Sequence, residues 1–243
     1  DIMLKGRYAF YCGQSHKCYG NKEKSIEWYK KVLDLNNWNQ EKYYSAYTIG
    51  FLNNQLGNID SAIKYYLLSD KYDKERIEGI VSLVELFYNK GYHILVNSLY
   101  HKYKNYSKPV HKLFLFDEKY NDELEYYNSI SAFYSNDLES GYLCCKKIIS
   151  NNIAKSSHIE QTLKNMRFYI ENLKKDNEKT YKFFQSITNI INKKLKNTLS
   201  ITELIDIYKI LFDKNKHILS QSDYDLYNKL FPNNTNNLPI KKS

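Results

Sequence analysis

One arrangement of small residues and tyrosines, present twice in full and a third time in part, limits this chain more than any other feature. Gly13, Gly20, Ser25 and Tyr29 recur as Gly50, Gly57, Ala62 and Tyr66, and then in part as Gly91, Val96 and Tyr100. The step is 37 residues from Tyr29 to Tyr66 and 34 from Tyr66 to Tyr100, which is the period of a two-helix stacking unit. A single such unit cannot bury its apolar face, so successive units must cover one another. The expected fold is all-α, built from antiparallel helix pairs.

Punctuation along the chain agrees. Only 3 prolines and 8 glycines occur in 243 residues, and Gly13, Gly20, Gly50, Gly57 and Gly91 all fall at pattern positions. The frequent breaks that many strands and tight hairpins require are missing. The 25 tyrosines can supply a core, since each buries a ring while its hydroxyl finds a partner.

Helical spacing then predicts the pairs. A helix over about 4–19 places Tyr8, Tyr11, Cys12, Ser15 and Tyr19 on one buried stripe, and a turn at Gly20-Asn21 leads to a helix carrying Ile26, Tyr29, Val32 and Leu33. Gly13 and Ser25 are small because two backbones approach there. The second pair has Tyr43, Tyr44, Tyr47, Ile49 and Gly50, a turn at Leu56-Gly57-Asn58, then Ile59, Ala62, Ile63, Tyr66 and Leu67. A third has Ile80, Leu83, Val84 and Phe87, a turn at Lys90-Gly91, then Ile94, Leu95 and Leu99. An insertion from Tyr103 to Asp122, with Pro109 and the apolar run Leu113–Phe116, breaks the period before a fourth pair that turns at Asn136-Asp137 and continues through Gly141, Cys145 and Ile148.

The resulting domain organisation is four units over 4–150 (4–37, 41–72, 76–104 and 123–150), C-terminal helices over 151–231 that cap the stack, and a disordered tail over 232–243. Within the capping region, helices are expected near 158–174, 180–196, 201–213 and 222–230, with a capping box at Ser200 and Glu203.

Several chemistries find no support. The net charge of +9 favours acidic partners, but lysines alternate with acids along every expected helix, so the long-range field is weak at physiological salt. Cys12, Cys18, Cys144 and Cys145 lack paired zinc spacing and are expected as reduced, packed thiols, which fits a cytoplasmic setting. His93, His101 and His111 lack the spacing of two metal ligands on one helical face. Asp223-Tyr224-Asp225 falls in an amphipathic helical stretch and not after a strand, so no metal is expected there. No cofactor is expected, and no phosphate loop or nucleophile elbow occurs. The best nucleic-acid candidate interleaves Lys102, Lys104, Lys108 and Lys112 with Tyr103 and Tyr106, but acids at Asp117, Glu118, Asp122 and Glu123 follow it and disfavour that partner. No apolar run is long enough for a membrane span, and no signal-peptide stretch opens the chain. It begins at Asp1 and not at methionine, as a piece of a longer polypeptide would.

The run from Arg7 to Ser15, Trp28-Tyr29-Lys30-Lys31, Trp38, Tyr43-Tyr44-Ser45 and Ile49-Gly50 resembles the tetratricopeptide region that follows the catalytic domain in certain family 2 glycosyltransferases of bacteria and giant viruses. Richness in Lys, Asn, Ile and Tyr suits an AT-rich genome of that kind, which would put the chain in a host cytoplasm or a virion. The resemblance continues through Arg76, Glu78, Pro109, Leu113-Phe114, Tyr120, Asp122-Glu123, Ser131-Ala132, Asn165 and Phe168-Tyr169, and so covers about residues 5–172. Departures occur at His16, where tyrosine is usual, and at Asn36-Asn37, where glycines are common. The fold it implies is a right-handed tetratricopeptide-like superhelix. The nucleotide-sugar site of such enzymes lies in a separate α/β domain, so the resemblance implies a non-catalytic module attached to an enzyme.

In tetratricopeptide stacks the first helix of each pair lines a concave groove. Carried over by spacing, that groove presents Arg7, Phe10, Gln14, Lys17 and Cys18, then Tyr44, Tyr47, Phe51, Asn54 and Gln55, then Glu78, Val81, Glu85, Tyr88 and Asn89. Aromatics there could stack and amides could hydrogen-bond a peptide or glycan; equally, the aromatics could pack between pairs and leave the rest solvated. Three functions follow: an accessory module holding an acceptor, a partner protein or a second copy; a free-standing protein-binding scaffold; or an RNA-binding stack.

Overall fold

The computed structural model describes residues 2–35, 38–151, 153–172 and 219–231, together with isolated positions between 185 and 217. Every element among these is helical. In order they are α1 (Ile2–Cys18), α2 (Lys22–Asp34), α3 (Asn39–Gln55), α4 (Ile59–Tyr72), α5 (Glu78–Asn89), α6 (His93–Tyr103), a 3₁₀ turn (Asp117–Tyr120), α7 (Glu123–Tyr134), α8 (Leu138–Ser150), α9 (Ser156–Asn172) and α10 (Gln221–Leu230). The chain separates into two compact units, 1–137 and 138–243, a division that falls inside the expected fourth pair.

Short turns make the pairs. Gly20, Gly57 and Gly91 all adopt positive φ (77°, 80° and 75°), a conformation that a Cβ would strain. Each lets two amides fold back onto the preceding helix: Gly57 N donates to Asn54 O at 3.1 Å and Asn58 N to Asn53 O at 2.9 Å, with equivalent bonds after Gly20 and Gly91. Asn136 closes α7 with the same two bonds at φ 56°, using the residue type that tolerates left-handed backbone next best to glycine.

Close approach explains the small residues inside helices. A Cβ on Gly13 would lie 2.9 Å from the Tyr29 ring, and one on Gly50 would lie 2.7 Å from the Tyr66 ring. Ser25 Oγ donates to the Gly13 carbonyl at 2.9 Å, which ties α2 to α1 where they meet most closely. Ala62 is completely buried against the same kind of seam.

Two expected faces are corrected. On α1 the buried residues are Gly6, Ala9, Phe10 and Gly13, whereas Tyr8, Tyr11 and, just past its end, Tyr19 are 67%, 55% and 91% exposed. The stripe was out of phase because tyrosine suits either side of an interface and does not fix which face turns inward. On α6 the buried residues are Val96 and Tyr100, and Ile94 and Leu95 lie in solvent.

The second unit has its own core. Tyr142, Cys145 and Ile149 of α8 meet Leu163, Met166 and Tyr169 of α9, joined by Tyr208, Phe212, Leu219 and Tyr227. Gly141 is small because a Cβ would collide with the Tyr169 ring. In α10, Asp223 accepts from the Ser220 amide at 2.9 Å and from its hydroxyl at 2.6 Å, so this acid closes a capping box. None of the four cysteines forms a disulfide; Cys144 and Cys145 are buried while Cys18 is exposed. The expected helix over 180–196, most of 201–213, the capping box at Ser200 and Glu203, and the tail over 232–243 lie outside the described residues.

Candidate functional site

The first helices of the three leading pairs, α1, α3 and α5, present side chains to one face of the first unit, and the insertion between α6 and α7 lies on it. The chain leaves α6 after Tyr103, turns at 104–105, passes Pro109, which no helix interior would accept, and bends at 110–111 and 113–114 before the 3₁₀ turn. That run carries Leu113–Phe116 across α3.

Two aromatic side chains seat the run. The Phe114 ring lies 5.4 Å from that of Phe10 and 5.3 Å from that of Tyr44, centroid to centroid. Phe116 stacks on Tyr44 at 6.0 Å with 12° between planes, and packs against Tyr47 at 4.8 Å. Phe51 belongs to the same apolar cluster. Offset and edge contacts of this kind each add to the area term.

Main-chain contacts fix its register. Arg76, just before α5, is completely buried and donates through one terminal nitrogen to the Leu113 carbonyl at 3.0 Å and through the other to the Phe114 carbonyl at 2.8 Å. Gln40 of α3 accepts from the Leu113 amide at 2.7 Å. A guanidinium can serve two carbonyls at once because its donors form a rigid fork.

A buried ionic hub holds Arg76 in place. Its fork meets Glu78 at 2.6 Å, and its plane lies 4.0 Å over the Tyr43 ring. The other carboxylate oxygen of Glu78 accepts from Tyr43 at 2.9 Å and from Tyr120 at 2.7 Å, so insertion, α3 and α5 converge on one carboxylate. Burial would lower the Arg76 pKa, but the hydrogen bonds and charge of Glu78 outweigh it and hold the guanidinium above its ordinary value. Burial raises the pKa of Tyr43 and Tyr120, and the Glu78 charge raises both further. Lys119 extends the hub, reaching Glu85 of α5 at 3.1 Å and Glu123 of α7 at 2.7 Å.

The residues expected to line a groove therefore divide. Phe10, Tyr44, Tyr47 and Phe51 lie beneath the insertion, with Phe10 wholly buried, so they pack as a core and do not face an open channel. Glu78 and Val81 are buried, and Glu85 is taken by Lys119. Arg7 reaches the buried Glu41 at 3.5 Å, and Lys17 donates to the Tyr44 hydroxyl at 3.2 Å. Tyr88 packs on Tyr127 at 5.1 Å, and Gln14 is half-buried. Asn54, Gln55 and Asn89 are exposed at the C-terminal ends of α3 and α5. Gln40, Phe116 and Lys119 had no signal in helical spacing, while Leu113–Phe116 was visible only as an apolar run in an otherwise polar insertion.

The remaining candidates have structural partners. Lys112 bridges Asp73 and Glu75, both at 2.9 Å, Lys108 pairs with Asp117 at 2.9 Å, and Tyr106 donates to Glu125 at 3.0 Å, which occupies much of the expected nucleic-acid patch. His93 stacks on Tyr134 at 4.4 Å and bonds the Ser131 hydroxyl, and His101 pairs with Asp137. Among the described residues no group of histidines, cysteines and acids could hold a metal ion, and no helix is long and apolar enough to cross a membrane. No family model matches the chain, and no curated protein matches it.

Proposed function

We propose that this chain is a non-catalytic recognition module of tetratricopeptide type, a right-handed stack of helix pairs whose concave face, built from α1, α3 and α5, holds protein segments. The observation that carries this reading is the way that face holds Leu113–Phe116: a fork from Arg76 to two successive carbonyls, an amide taken by Gln40, and two aromatic seats. Main-chain hydrogen bonds combined with seats for spaced side chains are a recurring way of recognising a peptide. An array of immobilised peptides, glycans and single-stranded RNA, probed with the full chain, tests it. Capture by peptides is expected, and capture by glycans or RNA alone would contradict it.

The wider assignment, an accessory part of a glycosyltransferase-like protein, rests on the resemblance from Arg7 to Tyr169. The reading frame upstream of the Asp1 codon tests that part. An α/β domain bearing an Asp-x-Asp is expected there, and a frame without one refutes it.

A further inference from the structure

The occupied face specifies what would compete for it. We infer that the α1–α3–α5 face takes a peptide with two aromatic residues two positions apart and a basic residue three positions later, following the bent path of Leu113–Lys119, and that Leu113–Lys119 is its built-in competitor. This rests on reading the face as a recognition surface.

Each requirement has its own observation. Arg76 and Gln40 contact only main-chain atoms of the run, and the Leu113 side chain is 54% exposed, so that position accepts many residues. Phe114 and Phe116 fill the two seats over Phe10, Tyr44 and Tyr47. Lys119 ends between Glu85 and Glu123, a site for one cation. Loss of that cation would remove an ammonium that both Glu85 and the nearly fully buried Glu123 accept from.

The competitor is an imperfect occupant. Phe114 sits at φ 60°, in the left-handed region where a bulky residue is strained, and its side chain remains 38% exposed. Preceding the run, residues 104–111 include no helix and are mostly exposed, so release of the run breaks contacts such as Lys112 to Asp73 and Glu75 but unwinds no turn of α6.

A fluorescent peptide spanning residues 110–121 of the chain, titrated by polarisation against the full wild-type chain and its Phe114→Ser/Phe116→Ser variant, tests the inference. The variant should bind at least about tenfold more tightly, because its face is open for a larger fraction of the time. Equal affinities overturn the competitor. A peptide in which serines replace both phenylalanines should lose at least about tenfold; if it binds as well as the parent, the ligand class is wrong while peptide recognition stands. No binding by a variant that keeps the wild-type helix signal overturns both. Hydrogen exchange of the wild type needs no substitution: saturating peptide should speed exchange of the Leu113 amide, and an unchanged rate overturns displacement.

Discussion

Gly50 and Tyr66 meet so closely that a Cβ on the glycine would stand 2.7 Å from the ring, a separation that real side chains do not adopt. Gly13 and Tyr29 have the same relationship one pair earlier, so the glycine and the tyrosine are one device for bringing two backbones together.

Replacing Gly50 with alanine brings two opposing terms. Helix propensity favours alanine by about 1 kcal/mol, but overpacking costs about 1–3 kcal/mol because Tyr66 is nearly fully buried and cannot swing out. Net destabilisation is expected in urea melts, and Tyr66→Leu in the same chain should recover part of it. Ala62 replaced by a large residue should cost a similar ~1–3 kcal/mol.

The turn residues differ in what they tolerate. Gly57→Ala places a Cβ on backbone at φ 80° and should cost about 1–2 kcal/mol, although nothing lies near enough to clash. Asn136→Gly keeps the same turn at φ 56° and should be neutral or slightly stabilising. Thermal melts of the two variants would separate backbone strain from crowding.

Arg76 and Glu78 form a buried pair whose members cannot be removed singly. Glu78→Ala leaves an uncompensated guanidinium and two tyrosine hydroxyls without their acceptor, with an expected loss of about 3–5 kcal/mol. Arg76→Lys should fail to rescue, because one ammonium cannot span Glu78 and the carbonyls of Leu113 and Phe114 together. Equilibrium unfolding of both variants reads the difference.

Alkali should unfold the first unit. Burial pushes the hydroxyls of Tyr43, Tyr47, Tyr66 and Tyr120 above their ordinary value, while in the unfolded chain they ionise at about 10. Groups with a raised folded pKa contribute their full stability below the unfolded pKa and lose it as pH climbs toward the folded one, so stability should be flat up to about pH 10 and fall above it. Tyrosinate absorbance should include a late rise from this buried set that coincides with loss of the helix signal. A single stage at ordinary pKa with helix intact would contradict the buried assignments.

Local chemistry made much of this fold legible. Glycine at a turn and glycine or serine at a seam each answer a constraint within one pair, so Gly20, Gly57, Gly13 and Ser25 could be assigned roles from spacing alone. Phase was harder where tyrosines lined both sides of α1, because an amphipathic ring does not report which side is dry. The seat of the insertion was beyond periodicity altogether: Arg76 and Glu78 are two residues apart and share no helical stripe, and their partners Leu113, Phe114 and Tyr120 are joined to them only by the folded chain. The expected groove residues fall on α1, α3 and α5, yet nothing local announced that Phe114 and Phe116 would cover Phe10, Tyr44 and Tyr47.

Leu113–Phe116 resting on the face of α1, α3 and α5 is what closes that face. Nuclear Overhauser contacts between the ring protons of Phe116 and Tyr47, whose centroids are 4.8 Å apart, measure this directly in solution. Clear cross-peaks from Phe116 to Tyr47 and Tyr44 are the predicted result. A Phe116 ring with random-coil shifts and no contact to either tyrosine would contradict it.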